Sequence, residues 1–359
     1  MQVLEGLFDC IHIPAVDSQA EAYLKKLAAT IFDGEIRRNQ SRPQGARIHQ
    51  SNILSAFLDS IPHALSREVP SQRVKAQAFI ASLIEDLVEM RDNPGMTTQD
   101  IMPILHHIAN RFTTLCLDEA WTRKQAGCDG VRIMTNTPVL GQKWVSDREM
   151  DLFRTLLHVL KDLPHDLPRD VESVVDILID ILRISNAQLD FTGDGAAHAR
   201  QKVAHIAGLF CPELQSSSPI VREASQKCIN FLVESSGRPA VDLLMVHRDR
   251  MLGGIYTKPL RALPFLKQIG MIEAVRFCLS LDPPLVELND ELLRLLHETL
   301  ALADAEDAQL LGQRSPRQSV LEVVKLRVAC IKLLTAAMPL TDFFSKQPQT
   351  RQRYVDCCR

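Results

Sequence analysis

Residues 170–183 read DVESVVDILIDILR, and their spacing decides the fold. Val171, Val174, Val175, Leu178, Ile181 and Leu182 fall on one stripe of a helix, while Glu172, Asp176 and Asp180 fall off it. An α-helix returns to the same side about every 3.6 residues, so apolar groups three and four apart make one buried face and leave the charges in water. Outward from this stretch the same period recurs in almost every long segment, and the strict alternation of a half-buried strand is nearly absent. The chain therefore reads as all-α.

The pattern predicts helices at 2–12, 18–33, 49–60, 71–91, 99–118, 119–135, 147–162, 170–185, 196–210, 219–236, 238–252, 259–281, 286–303 and 316–338. Ser18 with Glu21, and Ser146 with Glu149, have capping-box spacing, in which a hydroxyl and a carboxylate satisfy each other's backbone amides. Ser218-Pro219 and Ser315-Pro316 place a capping hydroxyl before a proline whose missing N–H is harmless in a first turn. The connectors are short and carry Pro, Gly, Asn or Ser: Asp92-Asn93-Pro94-Gly95, Leu163 to Pro168, and Asp282-Pro283-Pro284. Helices joined so closely pack antiparallel to their sequence neighbours. Glu35 to Ala46, with Arg37, Arg38 and Arg42, and Ala305 to Arg314 read as loops between pairs.

One local pattern repeats. Arg73-Val74-Lys75-Ala76, Arg123-Lys124-Gln125-Ala126, Val221-Arg222-Glu223-Ala224 and Leu326-Arg327-Val328-Ala329 each sit in the first half of a helix. Their separations are roughly one or two times a unit of about 50 residues, slightly above the HEAT and armadillo period. A helix pair cannot bury its own apolar face, so a small Ala at the crossing lets the next pair approach. The basic stem is expected to lie along the apolar edge with its head in water. The resulting fold class is a HEAT/armadillo-like α-solenoid of antiparallel helix pairs over 1–344, with a weaker, loop-rich segment at 34–98 and an irregular tail at 345–359.

Composition narrows the function classes. The 359 residues are 46% hydrophobic and 24% charged, with 41 Lys+Arg against 44 Asp+Glu and a net charge of −3. That describes a folded, soluble chain without the clustered positive charge that phosphate binding needs, so no direct nucleic-acid contact is expected. The nine cysteines are odd in number and lie mostly in apolar runs, which fits a reducing compartment better than a disulfide framework. The opening MQVLEGLFDC has neither a basic nor a long apolar region of a secretory signal, and no apolar stretch is long enough to span a bilayer. The sequon Asn39-Gln40-Ser41 reads as chance.

No motif for bond-making chemistry survives inspection, and no catalytic, cofactor-binding or metal-ligating residue is assigned. Gly193-Asp194-Gly195 opens like a dinucleotide fingerprint, but no strand precedes it and His198 stands where the third glycine belongs. His247-Arg248-Asp249 spells the kinase catalytic tripeptide, but Gly254 occupies the metal-binding Asn position and no DFG follows, so it reads as a polar helix end. His106 and His107 point about 100° apart on a helix and cannot share one ion without remote partners. There is no CxxC pair, no HExxH and no Glu-x-x-His of a di-metal bundle. His165-Asp166 lies in a Pro-rich turn with no nucleophile to serve, and Cys357-Cys358 read as unpaired tail thiols. Trp121 with Arg123, Lys124 and Arg132 could stack on and pair with a nucleic acid, but Asp118, Glu119 and Asp129 cancel most of the charge. An ordinary interhelical crossing is the better reading there.

The residues also carry a family likeness. Residues 101–136, IMPILHHIANRFTTLCLDEAWTRKQAGCDGVRIMTN, followed by WVSDREMDLFRTLLHVLKDLPHDLP at 144–168, resemble the TRRAP-type transcription-associated pseudokinases in their fungal form. Three details carry it: the apolar helix ending in Cys and an acidic residue before Trp121, the Lys124-x-Ala126-Gly127-Cys128-x-Gly130 turn, and Leu156 to Asp162 before the Pro-rich loop. Residues 7–32, 216–281 and 316–338 are similar to the family's flanking units, in the family's order, while 34–98 match poorly. The resemblance implies an internal HEAT segment, outside the kinase-like domain, of a scaffold subunit in SAGA- and NuA4-type histone acetyltransferase complexes. It implies a nuclear protein that binds complex subunits and transcription activators, with no cofactor, small-molecule substrate or membrane. The competing reading is an unrelated HEAT or armadillo adaptor in transport or cytoskeletal assembly, which would share the fold. Residues 351–359 show no amphipathic stripe where the array should continue, and a truncated gene model is expected.

Overall fold

The structure, a computed structural model, describes residues 2–41, 51–138, 140–162, 168–287, 289–311, 317–340 and 348–358. Among them there is no strand. The chain divides into two compact units, Met1–Ala187 and Gln188–Arg359.

The first unit holds α1 (Gln2–Cys10), α2 (Asp17–Gln40), α3 (Asn52–Leu65), α4 (Pro70–Glu89), α5 (Thr98–Leu115), α6 (Trp121–Thr135), α7 (Gly141–Ser146), α8 (Glu149–Asp162) and α9 (Pro168–Asn186). Its N-terminal core is an aromatic cluster. Phe8 of α1 lies 6.1 Å from Phe57 of α3 and 6.2 Å from Phe79 of α4, and Phe32 of α2 meets Phe57 edge-on at 5.9 Å. Tilted and edge-to-face pairs at these distances are the favourable geometries for aromatic quadrupoles. Phe57 and Phe79 belong to the stretch expected to be weak and loop-rich, so 34–98 is instead built largely from packed helices.

The loop expected from Glu35 is corrected too. α2 continues to Gln40 because Ile36 is buried beneath it and Glu35 is held by Arg38 at 2.9 Å and by the Ser51 amide at 3.3 Å. Arg37 closes on Asp33 one turn back at 2.8 Å, which makes the arginine run a helix surface rather than a loop. Arg42 lies outside the described residues.

α5 and α6 cross closely, and glycine makes it possible. A Cβ on Gly127 would sit 2.6 Å from the Cys116 backbone nitrogen, and one on Gly130 would fall inside the Phe112 ring. The helices approach until ring and backbone touch. α9 buries Val174, Val175, Leu178, Ile181 and Leu182 of its stripe, and Ile177 as well, while Val171 in its first turn is half-buried.

The second unit holds α10 (Ala196–Phe210), α11 (Pro219–Ser236), α12 (Ala240–Leu244), α13 (Arg248–Tyr256), α14 (Phe265–Leu279), α15 (Asp290–Asp304), α16 (Asp307–Leu311), α17 (Arg317–Ala337) and α18 (Pro348–Cys358). α14 is its centre, with Ile269, Ile272, Ala274, Val275, Phe277, Cys278 and Leu279 buried around most of its circumference. A helix that is apolar all round belongs inside. The helix expected at 259–281 begins late because Pro264 holds Leu263 extended at ψ 154, leaving a short 3₁₀ turn at Leu260–Ala262.

The 238–252 helix is likewise interrupted by a 3₁₀ turn, Met245–His247. The loop expected at 305–314 contains α16. Within the tail expected to be irregular, residues 348–358 form a helix. α18 starts on Pro348 and docks through one aromatic, Tyr354, 8% exposed, whose hydroxyl lies 2.8 Å from Thr335 Oγ1. Arg353 adds a charge-assisted contact to Asp304 at 2.6 Å. A single anchor and an ion pair leave no apolar stripe to read.

Two capping expectations fail. α2 is preceded by Val16, with Ser18 inside the helix, and Ser146 closes α7 while its hydroxyl donates to the Ser185 carbonyl at 3.2 Å. The reciprocal capping box lies elsewhere, between Thr97 and Asp100. Ser218 does precede α11 with Pro219 in the first turn, though its side chain caps nothing. Ser315-Pro316 and the 163–167 connector lie outside the described residues.

Candidate interaction surface

The four alanines of the repeated motif, Ala76, Ala126, Ala224 and Ala329, are all buried, as a close crossing demands. Their basic neighbours do something other than snorkel into water. Arg73 donates to the Arg67 carbonyl at 3.3 Å, Arg222 to the Ser216 carbonyl at 2.7 Å, and Arg327 to the Ala305 carbonyl at 2.6 Å. Arg73 and Arg222 tie their helices to the connector just before them, and Arg327 ties α17 to the connector between α15 and α16, so each head satisfies a connector carbonyl. Lys124, 7% exposed, instead reaches Asp162 at 2.6 Å.

Gly193 and Gly195 lie in the loop between α9 and α10, where Asp190 accepts from the Thr192 and Gly193 amides; that turn holds its carboxyl below the usual range. His198 stands exposed in the first turn of α10. His247 is an interhelical lock rather than a polar helix end: its Nε2–H donates to the Ala204 carbonyl at 2.7 Å, and a Cβ on Gly208 would lie 2.6 Å from its ring. His106 and His107 are half-buried on α5; burial, then Arg148 and His107, lower the His106 pKa.

Around Trp121 every basic head has an acceptor within the chain. The indole N–H donates to Asp170 at 3.3 Å, Arg123 meets Asp118 at 3.3 Å, and Arg132 donates to the Ser173 carbonyl at 2.8 Å. This is the interhelical crossing that the charge balance suggested. His165-Asp166 lie outside the described residues, as do the side chains of Cys357 and Cys358.

The buried thiols are poor nucleophiles. Burial pushes Cys211, Cys228 and Cys278 up to about 12, and a hydrogen bond with Cys116 together with burial raises Cys128 well above the ordinary value. Thiols so shifted are protonated at neutral pH and behave as small apolar groups. Among the described residues no group of three or more His, Cys, Asp or Glu is placed to hold a metal ion, and no helix is long and apolar enough to cross a membrane.

What the surface does offer is grooves. One of them has a volume of ≈ 350 Å³ and runs between α11, α14 and α17. Its floor is Leu266 and Ile269 of α14 with Val324, Val328 and Ala329 of α17; its rim carries Arg222, Glu223, Glu273, Arg276, Lys325 and Lys332. Two copies of the repeated motif, Arg222-Glu223 and Val328-Ala329, contribute to it. A second, apolar cleft of ≈ 250 Å³ is lined by Phe191, Val203, Leu243 and Val246 beside Arg200 and Arg238. In the first unit a more polar cleft of ≈ 250 Å³ separates α5 from α8, around Thr113, Leu117, Arg148 and Asp151. Apolar floors with charged rims are the anatomy of a protein-binding surface. None of these grooves was singled out in the sequence, because an apolar position that faces a partner has the same helical spacing as one that faces the core.

A family model described as the Tra1 HEAT repeat ring region matches residues 1–357. The chain belongs to this family. Its fold class is therefore that of the Tra1 ring, HEAT repeats built of paired helices, as the sequence resemblance implied. Curated relatives agree. The chain is 33% identical over 298 residues, 82% of its length, to the Saccharomyces cerevisiae SAGA complex/NuA4 acetyltransferase complex subunit TRA1, covering 8% of that protein. It is 35% identical over 267 residues, 72% of its length, to the Schizosaccharomyces pombe subunit Tra1, covering 7% of that protein. The human transformation/transcription domain-associated protein is 24% identical over 264 residues, 71% of this chain and 7% of that protein. The chain thus spans less than a tenth of the length of the relatives it matches. None of these names belongs to a transport or cytoskeletal adaptor.

Proposed function

We propose that this chain is a non-catalytic scaffold segment of a transcription coactivator subunit in SAGA- and NuA4-type histone acetyltransferase complexes, acting in the nucleus through protein partners alone. One observation carries it: nearly the whole chain matches the Tra1 HEAT ring, and the most similar of the named relatives are subunits of those complexes. The physical picture agrees. Paired helices bury one face on each other and leave grooves with apolar floors and charged rims, which suit docked helices or ordered segments of a partner. The buried thiols are protonated and the basic heads around Trp121 are engaged within the chain, so neither nucleophilic catalysis nor nucleic-acid contact draws support from them.

Affinity purification of the full-length gene product tests the proposal. Co-recovery of acetyltransferase subunits is the expected result. Their absence, with the tagged protein folded and abundant, would overturn it.

A further inference from the structure

α17 has two apolar faces. One, with Val323, Leu326, Cys330, Leu333 and Leu334, is buried. The other is bare: Val324 is 50% exposed and Val328 44% exposed, and Val320 and Leu321 continue the stripe. Leu266 of α14, 39% exposed, faces the same groove. A helix that covers a core needs only one such stripe.

The rim charges are not equal. Arg276 closes on Glu273 at 2.7 Å, and Arg222 points into the Ser216 and Ser217 carbonyls beside Glu223. Lys325 and Lys332 have no hydrogen-bond or ion-pair partner among the described residues. They lie seven residues apart on α17, two turns or about 10 Å along the groove. On α14 the lining runs from Leu266 to Arg276, about 15 Å.

We propose that the groove between α11, α14 and α17 receives one amphipathic helix of a partner protein. That helix is about three turns long, with apolar residues on the floor and two carboxylates about two turns apart over Lys325 and Lys332. The inference rests on the scaffold reading and adds to it a place and a chemistry. The uncompensated lysines select an acidic edge, and the bare valines and Leu266 select an apolar one.

The test is fluorescence anisotropy of synthetic helical peptides against the full 359-residue chain. One peptide carries Leu at three- and four-residue spacing and two Glu seven residues apart; a second has Lys for Glu; a third has Ser for Leu. The Glu peptide is expected to bind saturably and the other two at least about tenfold more weakly, a difference of about 1.4 kcal/mol. The double variant K325E/K332E should lose the Glu peptide and prefer the Lys peptide, while Val324→Ser with Val328→Ser weakens both. All four positions are exposed, so the thermal transition of each variant should match the parent's.

No binding, equal binding of the Glu and Lys peptides, or indifference to K325E/K332E would overturn the inference. So would self-association of the parent chain that K325E/K332E abolishes, which would make the groove an interface between copies. Recovery of acetyltransferase subunits with the full-length parent, together with failed peptide binding, sinks the groove and leaves the scaffold reading standing; failure of that recovery sinks the scaffold reading itself.

Discussion

Replacing Gly130 with Ala should destabilise the first unit, although it improves helix propensity. In an open helical position this change stabilises by about 0.8–1 kcal/mol, because Gly loses more backbone freedom on folding. At Gly130 the added Cβ falls inside the Phe112 ring, and Phe112 is 1% exposed with α6 on one side and the core on the other. Overpacking of this kind costs about 1–3 kcal/mol. The overlap is with the ring itself rather than with a flexible tip, so the upper end applies and the net loss is about 2 kcal/mol. Gly34 of α2, with nothing within 4 Å of its would-be Cβ, is the control; Gly34→Ala should stabilise. Urea titration followed by far-ultraviolet circular dichroism measures both. Phe112→Ala combined with Gly130→Ala should cost less than the sum of the single changes, because removing the ring removes the clash. A stabilising Gly130→Ala, or strict additivity with Phe112→Ala, would refute the close crossing.

Three further perturbations test the polar packing. Asp129 is 6% exposed, burial raises its carboxyl above the ordinary value of 3.8, and its Oδ2 meets no donor among the described residues. A raised folded pKa means the folded protein loses stability as pH rises from the unfolded value through the folded one. Asp129→Asn should therefore stabilise by about 1 kcal/mol at neutral pH, the scale of an unsatisfied buried group, with the gain vanishing below 3.8 in thermal melts. Asp162 shows the opposite sign. Its hydrogen bond from Lys124 depresses its pKa, so the stability it contributes is present above 3.8 and lost as pH falls through the folded value. Asp162→Asn should flatten the acid limb of a stability–pH curve and lower neutral stability by about 1 kcal/mol, discounted for the exposure of Asp162; Lys124→Met on that background should recover part of it. Tyr354→Phe removes the hydroxyl contact with Thr335 and should speed amide exchange in α18, with a loss of about 1 kcal/mol or less.

Long stripes were legible because burial on one face is all they record. α9 follows its reading closely, and α10 and α11 have the expected bounds of 196–210 and 219–236. What the sequence hid depends on distant partners. The stretch after Ala240 carries helical spacing, but the chain turns at Met245–His247 so that His247 can reach Ala204 and settle on Gly208. α18 has no stripe because one tyrosine and one arginine hold it. Ser18 with Glu21 has capping spacing without a cap, while Thr97 with Asp100 uses the shorter carboxylate. The repeated motif marks the helices that carry its arginines, but their heads find connector carbonyls that come within reach only once the chain has folded. The groove is the extreme case: Val324 and Val328 are written like core residues and lie on the outside.

A cryo-electron-microscopy map of the assembly recovered through the full-length gene product tests the account most directly. It predicts paired helices throughout residues 1–357, with density of another protein seated against at least one exposed groove. A β-sheet within those residues, or solvent around every groove in an otherwise complete assembly, would contradict it.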